Sequence, residues 1–283
     1  MSSGVTTGTR SPEHKASHPS GDGITNASSA VDRALMVLCA FSRETPVLGV
    51  TEISERLDLT KSTVHRLLQA LLARGLVSHH PDKRHYTLGY RILALAQAVP
   101  GEATLRQICY PHMQRLHAAT EETIGLYVVA GDVRLCLDEI ESPQMLRMSA
   151  GVGRIFPLDR GAAGKALLVD GPSDSSLWRR VTASLSAAHI AQLEAELREV
   201  RAHGYSQTAG ETVSGSASIA AAIRGPDDAL LASLSVAGPA SRFQRETVIR
   251  HATALLEAVS HIERDLAVAY APEAPQVASR RDQ

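Results

Sequence analysis

A chain of 283 residues is long enough for two domains and a sizeable core. Hydrophobic residues make up 44% but aromatics only 4%, so the cores rest on Leu, Val, Ile and Ala. The net charge of -1 argues against a nucleic-acid partner until it is divided: from Ala30 to Arg91 nine Lys/Arg face six Asp/Glu with four His besides, whereas from Ile92 onward 18 face 22, a basic small unit ahead of an acidic large one.

Residues 1–28 are Ser, Thr, Gly, Pro and His with almost no apolar content, and read as a disordered tail; so do residues 271–283. Order is expected from Ala30, where Val31, Leu35, Leu38 and Phe41 fall near helical spacing and predict a first helix ending before Pro46. A short second helix is expected over Thr51–Leu57, with Thr51 as its N-cap. After the turn Asp58-Leu59-Thr60, the segment Lys61–Arg74 carries Val64, Leu67, Leu68, Leu71 and Leu72 on one apolar stripe, with Ser62, Arg66 and Gln69 opposite it and Gly75 as the C-terminal stop. Two strand-like runs follow, Leu76–His79 and His85–Leu88, around a turn that holds Lys83 and Arg84. Three helices and a hairpin make a winged helix-turn-helix over residues 29–89. Tyr90–Ala98 reads as a linker helix within 90–101.

Residues 102–270 alternate. A helix is expected to start near Pro111. Strands follow at Ile124–Val129, Val133–Ile140 and Leu146–Ser149. Helices come next at Gly161–Val169, Ser173–Thr182 and Ala187–His203. A hairpin pairs Ser216–Ile223 with Ala229–Val236, and Phe243–Ala269 forms a last long helix. The whole is an α+β chain, its larger part a mixed α/β sheet domain.

The major groove of B-DNA admits one helix, and a recognition helix must present donors on a face free of core contacts. Ser62, Arg66 and Gln69 meet that requirement: arginine can pair bidentately with guanine and glutamine with adenine. Ser62 and Thr63 at the helix start suit phosphates, and Lys83, Arg84 and His85 on the wing can neutralise backbone charge or reach a minor groove. Thr51, Lys61 and His65 complete the expected DNA-binding set. An isolated helix with this face would read as merely solvated; the preceding short helix, the tight turn and the basic hairpin together favour DNA.

Cys39, Cys109 and Cys136 are too widely spaced for a metal pair and odd in number, so they read as buried apolar residues, with redox sensing as the alternative. His79, His80 and His85 lack a Cys or carboxylate to complete a metal site. Gly161-Ala162-Ala163-Gly164-Lys165-Ala166 fails the spacing of a phosphate loop, and no nucleophile elbow is present. Glu139 and Glu141 read as a solvated rim. No enzyme, metal or cofactor is expected. No apolar run approaches the ~20 residues of a membrane span, and the N-terminus lacks a secretory pattern, so a cytoplasmic protein without a membrane partner is expected.

The sequence resembles the IclR family of bacterial regulators. In the head the resemblance rests on Ala30-Val31-Asp32-Arg33-Ala34-Leu35, on Leu59-Thr60-Lys61-Ser62-Thr63-Val64-His65-Arg66-Leu67-Leu68 and on Tyr86-Thr87-Leu88-Gly89. In the body it rests on Leu158-Asp159-Arg160-Gly161-Ala162-Ala163-Gly164-Lys165-Ala166-Leu167, on Gly204-Tyr205 and on Leu234-Ser235-Val236-Ala237-Gly238-Pro239-Ala240-Ser241-Arg242. It implies a winged head, a linker helix and a GAF-like α/β effector-binding domain. It further implies a homodimer or homotetramer on a double-stranded DNA operator, and a small-molecule effector, an organic acid or aromatic metabolite. The implied effector positions are Met145, Met148, Phe156, Ala162, Ala163, Thr208, Ser216, Ser218, Ser235 and Ala237. Thr208 stands where small-acid sensors of the family can carry an acidic residue, and Ala237 where a second serine can occur. A pocket less polar than theirs, for a larger or more apolar ligand, is therefore expected. Met145, Met148 and Phe156 would supply an adaptable wall, and hydroxyls with the amides near Ala162-Ala163 a polar end. A body that only oligomerises or docks a protein remains the alternative.

Overall fold

Ser29 opens the first helix by accepting the Asp32 amide on its hydroxyl while Asp32 accepts the Ser29 amide in return, a reciprocal cap. The computed structural model describes residues 29–42, 45–80, 84–99, 101–171 and 176–270. Both expected tails, Lys83 with the turn at 81–83, and the start of the helix expected from Ser173 lie outside the described residues.

The head comprises α1 (Ala30–Cys39), β1 (Leu48–Gly49), α2 (Val50–Leu57), α3 (Lys61–Ala73), β2 (Val77–His80) and β3 (His85–Leu88). The stripe of α3 buries Val64, Leu67, Leu68 and Leu71 against Val37, Phe41, Ile53, Val77 and Tyr86. Thr51 is not the N-cap of α2. Gly49 is, and the Glu52 carboxylate accepts its amide at 2.6 Å, so Thr51 lies exposed within the first turn. The wing is three-stranded, in the order β1-β3-β2. Its first strand, only two residues long, gave no periodic signal. The linker helix α4 (Arg91–Ala96) follows.

The body begins with α5 (Glu102–Thr120), which runs through Pro111 instead of starting there. Pro111 and Gln107 both face out, where water can take the carbonyl that the missing proline N–H leaves free. Then come β4 (Thr123–Ala130), β5 (Val133–Ile140), β6 (Ile155–Pro157), α6 (Ala162–Leu167), α7 (Ser176–Thr182), α8 (Ala187–His203), β7 (Ser206–Ala209), β8 (Ser216–Arg224), β9 (Leu230–Pro239), a 3-10 turn at Ala240–Arg242, and α9 (Arg245–Ala269). The sheet is antiparallel throughout, in the order β6-β5-β4-β9-β8-β7. Leu146–Ser149 is not a strand. Ser149, Ala150 and Gly151 instead donate to the Glu139 carboxylate, which pins the segment as a loop. The short β6 and polar β7 were absent from the sequence reading.

Side chains alternate across a pleated sheet, and the two faces here are chemically unlike. Ile124, Leu126, Ile219, Ile223, Leu234 and Val236 meet the long helices α5 and α9. Tyr127, Cys136 and Ala220 face α6 and α8, packing with Leu158, Leu167, Leu193 and Leu197. Beside this second core the same face turns to hydroxyls and small residues, and a cavity opens.

Candidate functional site

In the head, Thr60 caps α3 by accepting the Thr63 amide, and its hydroxyl sits 3.1 Å from that of Ser62 and 2.9 Å from that of Thr63. The helix therefore starts on a cluster of three hydroxyls. Lys61, Ser62, His65, Arg66 and Gln69 are exposed and Thr63 is half-buried. Among the described residues, no side-chain hydrogen bond or ion pair engages Lys61, His65, Arg66 or Gln69. Arg84 is exposed at the wing turn with a left-handed φ of 51°, and His85 pairs with His80 across the hairpin. His79 packs its ring on Tyr86 at 4.6 Å. Thr51 is thus on α2, Lys61, Ser62, Thr63, His65, Arg66 and Gln69 on α3, and Arg84 and His85 on the wing, all on one module.

In the body, a cavity of about 150 Å³ lies between the sheet and α6. Strand register assembles its floor. Thr208, Ser218, Ala237 and Thr123 are successive cross-strand neighbours over β7, β8, β9 and β4, and Ala220, Ser235, Gly125 and Glu139 form the adjacent row. Thr208 and Ser218 hydroxyls lie 3.1 Å apart. Met148, Phe156, Ala162, Ala163, Thr208, Ser216, Ser218, Ser235 and Ala237 all line the cavity; Met145 does not and is 100% exposed.

Several wall residues escaped the sequence reading: Tyr127, Arg134, Glu139, Arg154 and Thr212. Arg134 is the most consequential, since it brings a cation into a pocket expected to be less polar. In sequence it stands between Val133 and Leu135 on the expected strand, where nothing local marks it as buried. Glu139 is no solvated rim; it is half-buried and clamps the 149–151 loop. Both reach one side of the sheet because β5 bulges: Leu126 pairs with Asp138 but Tyr127 with Cys136, so Leu137 is extra. A bulge re-aims the residues beyond it. Gly125 is required in the floor, because a Cβ there would lie 2.6 Å from the Tyr127 ring.

Behind the cavity, Glu211 accepts the Gly161 amide at 2.8 Å and the Lys165 ammonium at 2.6 Å, and Lys165 reaches Glu196 at 2.8 Å. Burial alone would raise the Glu196 carboxyl, but the Lys165 hydrogen bond and charge outweigh it and hold that pKa below its ordinary value.

Cys109 and Cys136 are buried, whereas Cys39 is exposed, contrary to the expectation of three buried thiols. Burial pushes both buried thiols up to about 12, helped by the charge of Asp138 at Cys109 and of Glu139 and Asp138 at Cys136. They stay protonated and poorly nucleophilic at neutral pH. In the native protein an aromatic disulfide reagent should therefore label Cys39 alone, with Cys109 and Cys136 reacting only after denaturation. Because their folded pKa values are raised, the stability they contribute is full below the unfolded value near 9.0 and is lost as pH rises towards about 12. Rapid native labelling of Cys136 would revive the redox reading. Among the described residues no cluster of His, Cys, Asp or Glu could hold a metal ion, and no helix is long and apolar enough to cross a membrane.

Comparison with known proteins agrees with both halves. Residues 30–81 match the IclR helix-turn-helix domain, and residues 97–264 match the bacterial transcriptional regulator IclR C-terminal domain. The HTH-type transcriptional regulator Rv1719 of Mycobacterium tuberculosis is 34% identical over 240 residues, covering 82% of this chain and 90% of that one. Among solved structures, an IclR transcriptional regulator from Silicibacter sp. TM1040 superposes with a TM-score of 0.70 at 26% identity, covering 84% of this chain and 96% of that one. An IclR homologue from Microbacterium hydrocarbonoxydans, complexed with 4-hydroxybenzoate, superposes with a TM-score of 0.71 at 25% identity, covering 85% and 100%. The winged head with its unengaged helix face and the α/β body with its cavity are the two domains of one family: the chain belongs to the IclR family of bacterial transcriptional regulators, non-enzymatic proteins that pair a helix-turn-helix DNA-binding domain with an effector-binding domain.

Proposed function

We propose that Ser62, Arg66 and Gln69 read bases in the major groove of the operator, with Thr51, Lys61, Thr63, His65, Lys83, Arg84 and His85 on phosphates or the flanking groove. The observation that carries this reading is the outer face of α3: polar, exposed and unengaged, while the opposite face is locked by four buried aliphatic side chains. A helix held this way can enter a groove edge-on without rearranging its core. Arg66→Ala should weaken operator binding roughly 5–150-fold, the equivalent of about 1–3 kcal/mol for a lost bidentate base contact. Binding to random duplex at the same salt should change little. Fluorescence anisotropy with both duplexes measures this, and equal losses on the two would contradict a base-reading role.

In the same reading the body cavity holds the effector, an organic acid or aromatic metabolite, against Met148, Phe156, Ala162, Ala163, Thr208, Ser216, Ser218, Ser235 and Ala237. The bound 4-hydroxybenzoate of the Microbacterium relative is of that class. The regulator works as a homodimer or homotetramer in the cytoplasm. An apolar surface favours this: Val31, Leu35 and Met36 on α1, and Tyr90, Leu93, Leu95 and Val99 at the linker, are all exposed, Tyr90 by 88%. A soluble monomer rarely leaves such a set uncovered. The domains divide as head through residue 89, linker over 90–101 and body over 102–270. Ligand favours one arrangement of the bodies, the linker helices reset the separation of the heads, and the heads fit or miss their half-sites.

A further inference from the structure

The guanidinium of Arg134 is an unusual wall for this cavity. The residue is only 4% exposed, yet among the described residues no carboxylate lies within ion-pair distance of it. The acids near it are engaged elsewhere: Glu211 by Lys165 and the Gly161 amide, Asp159 by Arg160 and His189, Glu139 by the 149–151 loop. Arg134 gives Nη1 to the carbonyls of Pro157 and Arg160, while its buried Nε has no acceptor in the protein. Nη2 lies beside Gly161, where Thr212 also borders the cavity. Burial lowers the Arg134 pKa, and the neighbouring groups, Tyr127, Asp159 and Glu211 among them, do not fully offset it. A buried charge without a paired counter-ion is strongly unfavourable, and an anion entering the cavity would relieve it.

The rest of the wall selects the body of that anion. Arg134 stacks over Phe156 at 5.3 Å and lies 5.7 Å from the centroid of Tyr127, and Arg154 stands 5.7 Å from that of Phe156. Flat aromatic faces, Met148 and the small residues Ala162, Ala163 and Ala237 leave about 150 Å³, a volume that accepts a single benzene ring. The paired hydroxyls of Thr208 and Ser218 offer a polar contact to a ring substituent.

We infer that Arg134 is the carboxylate anchor of the cavity and makes it selective for a single-ring aromatic monocarboxylate. This rests on the effector-cavity reading above and adds the residue that sets the ligand's charge. Arginine suits the task because its guanidinium stays charged and, with Nη1 given to the two carbonyls, still has Nη2 to offer a carboxylate.

The test is isothermal titration of the full chain with benzoate and with benzamide, which differ in charge and barely in shape. Benzoate should bind at least ten-fold more tightly than benzamide, and Arg134→Gln should erase that difference by weakening benzoate alone. Because Arg134 also holds the Pro157 and Arg160 carbonyls, Arg134→Gln could fail to fold. Arg134→Lys then decides: it should lose at least five-fold in benzoate affinity with benzamide unchanged. Equal wild-type affinity for the two probes, binding of neither, or unaltered benzoate affinity in Arg134→Lys would overturn the assignment. Ser218→Trp, which fills the cavity, separates the two readings. Benzoate that binds this variant as tightly as wild type sits elsewhere, and the effector-cavity reading falls with the anchor. Benzoate that is lost from it, but whose preference over benzamide survives Arg134→Gln, spares the cavity and overturns only the role of Arg134.

Discussion

Lys165→Met should lower the midpoint of thermal unfolding of the body by roughly 5 °C. Lys165 is 4% exposed and lies between two carboxylates, Glu196 at 2.8 Å and Glu211 at 2.6 Å. Removing one member of a fully buried ion group costs about 3–5 kcal/mol, but the carboxylates left here are 32% and 31% exposed, and solvent screening cuts the cost to about 2 kcal/mol; in a domain of this size each kcal/mol moves the midpoint by about 2–4 °C. Here two like charges would be left facing each other, and Glu211 would be pulled from the Gly161 amide, loosening the loop that carries Thr212 onto the cavity. Neutralising the whole group, as Lys165→Met with Glu196→Gln and Glu211→Gln, should recover most of the loss, because replacing a buried ion group entirely is far less costly than breaking it. The pH dependence carries a second signature. The Glu196 pKa is depressed in the folded chain, so its contribution is present above the unfolded value near 4.5 and is lost as pH falls through the lower folded value. Lys165→Met should reduce that acid sensitivity, leaving the smaller part that Gln192 and His189 sustain. Calorimetry at pH 7 and below measures both, and a single variant as stable as wild type would show that the group is solvated.

Gly89→Ala should disable the head while leaving the body intact. A Cβ at residue 89 would lie 2.1 Å from the Gly75 carbonyl oxygen and 2.9 Å from its carbon, and both obstacles are backbone, which cannot rotate away. The Gly89 amide also donates to the Leu76 carbonyl at 2.9 Å, tying the end of β3 to the turn that follows α3. Forcing a methyl into that contact costs about 1–3 kcal/mol or more, and a head of this size has little stability in reserve. Melting of the head should fall by roughly 4–8 °C per kcal/mol, and operator affinity should fall at least ten-fold as the wing shifts against α3. Benzoate titration of the same variant should match wild type. Retention of full operator affinity would mean that the strand and turn separate without disturbing α3.

The head was legible because its signals are local. The leucine stripe of α3 settles which side faces the core, and the same spacing leaves Ser62, Arg66 and Gln69 outside. Caps were less so: Thr51 looked like the start of α2 because threonine often caps, but the Glu52 side chain closes on Gly49. The linker was readable as a helix, whereas α5 was cut at Pro111, since a proline in sequence does not reveal that its side of the helix faces water. The ordered motifs of the body carried the family and, through it, nine of the residues that line the cavity.

By itself, the amino-acid sequence determined the winged head, the exposed polar face of α3, the strand–helix alternation of the body and the family to which they belong. Tertiary structure alone decided the chemistry of the cavity. It placed Thr208 against Ser218, delivered Arg134 and Glu139 to one side through the bulge at Leu137, joined Lys165 to Glu196 and Glu211, and left Met145 outside. The reason is one of range. Helical and strand periodicity are written within about ten residues, but register and bulges are agreements between strands far apart in the chain, and one residue of slip turns a side chain to the opposite face.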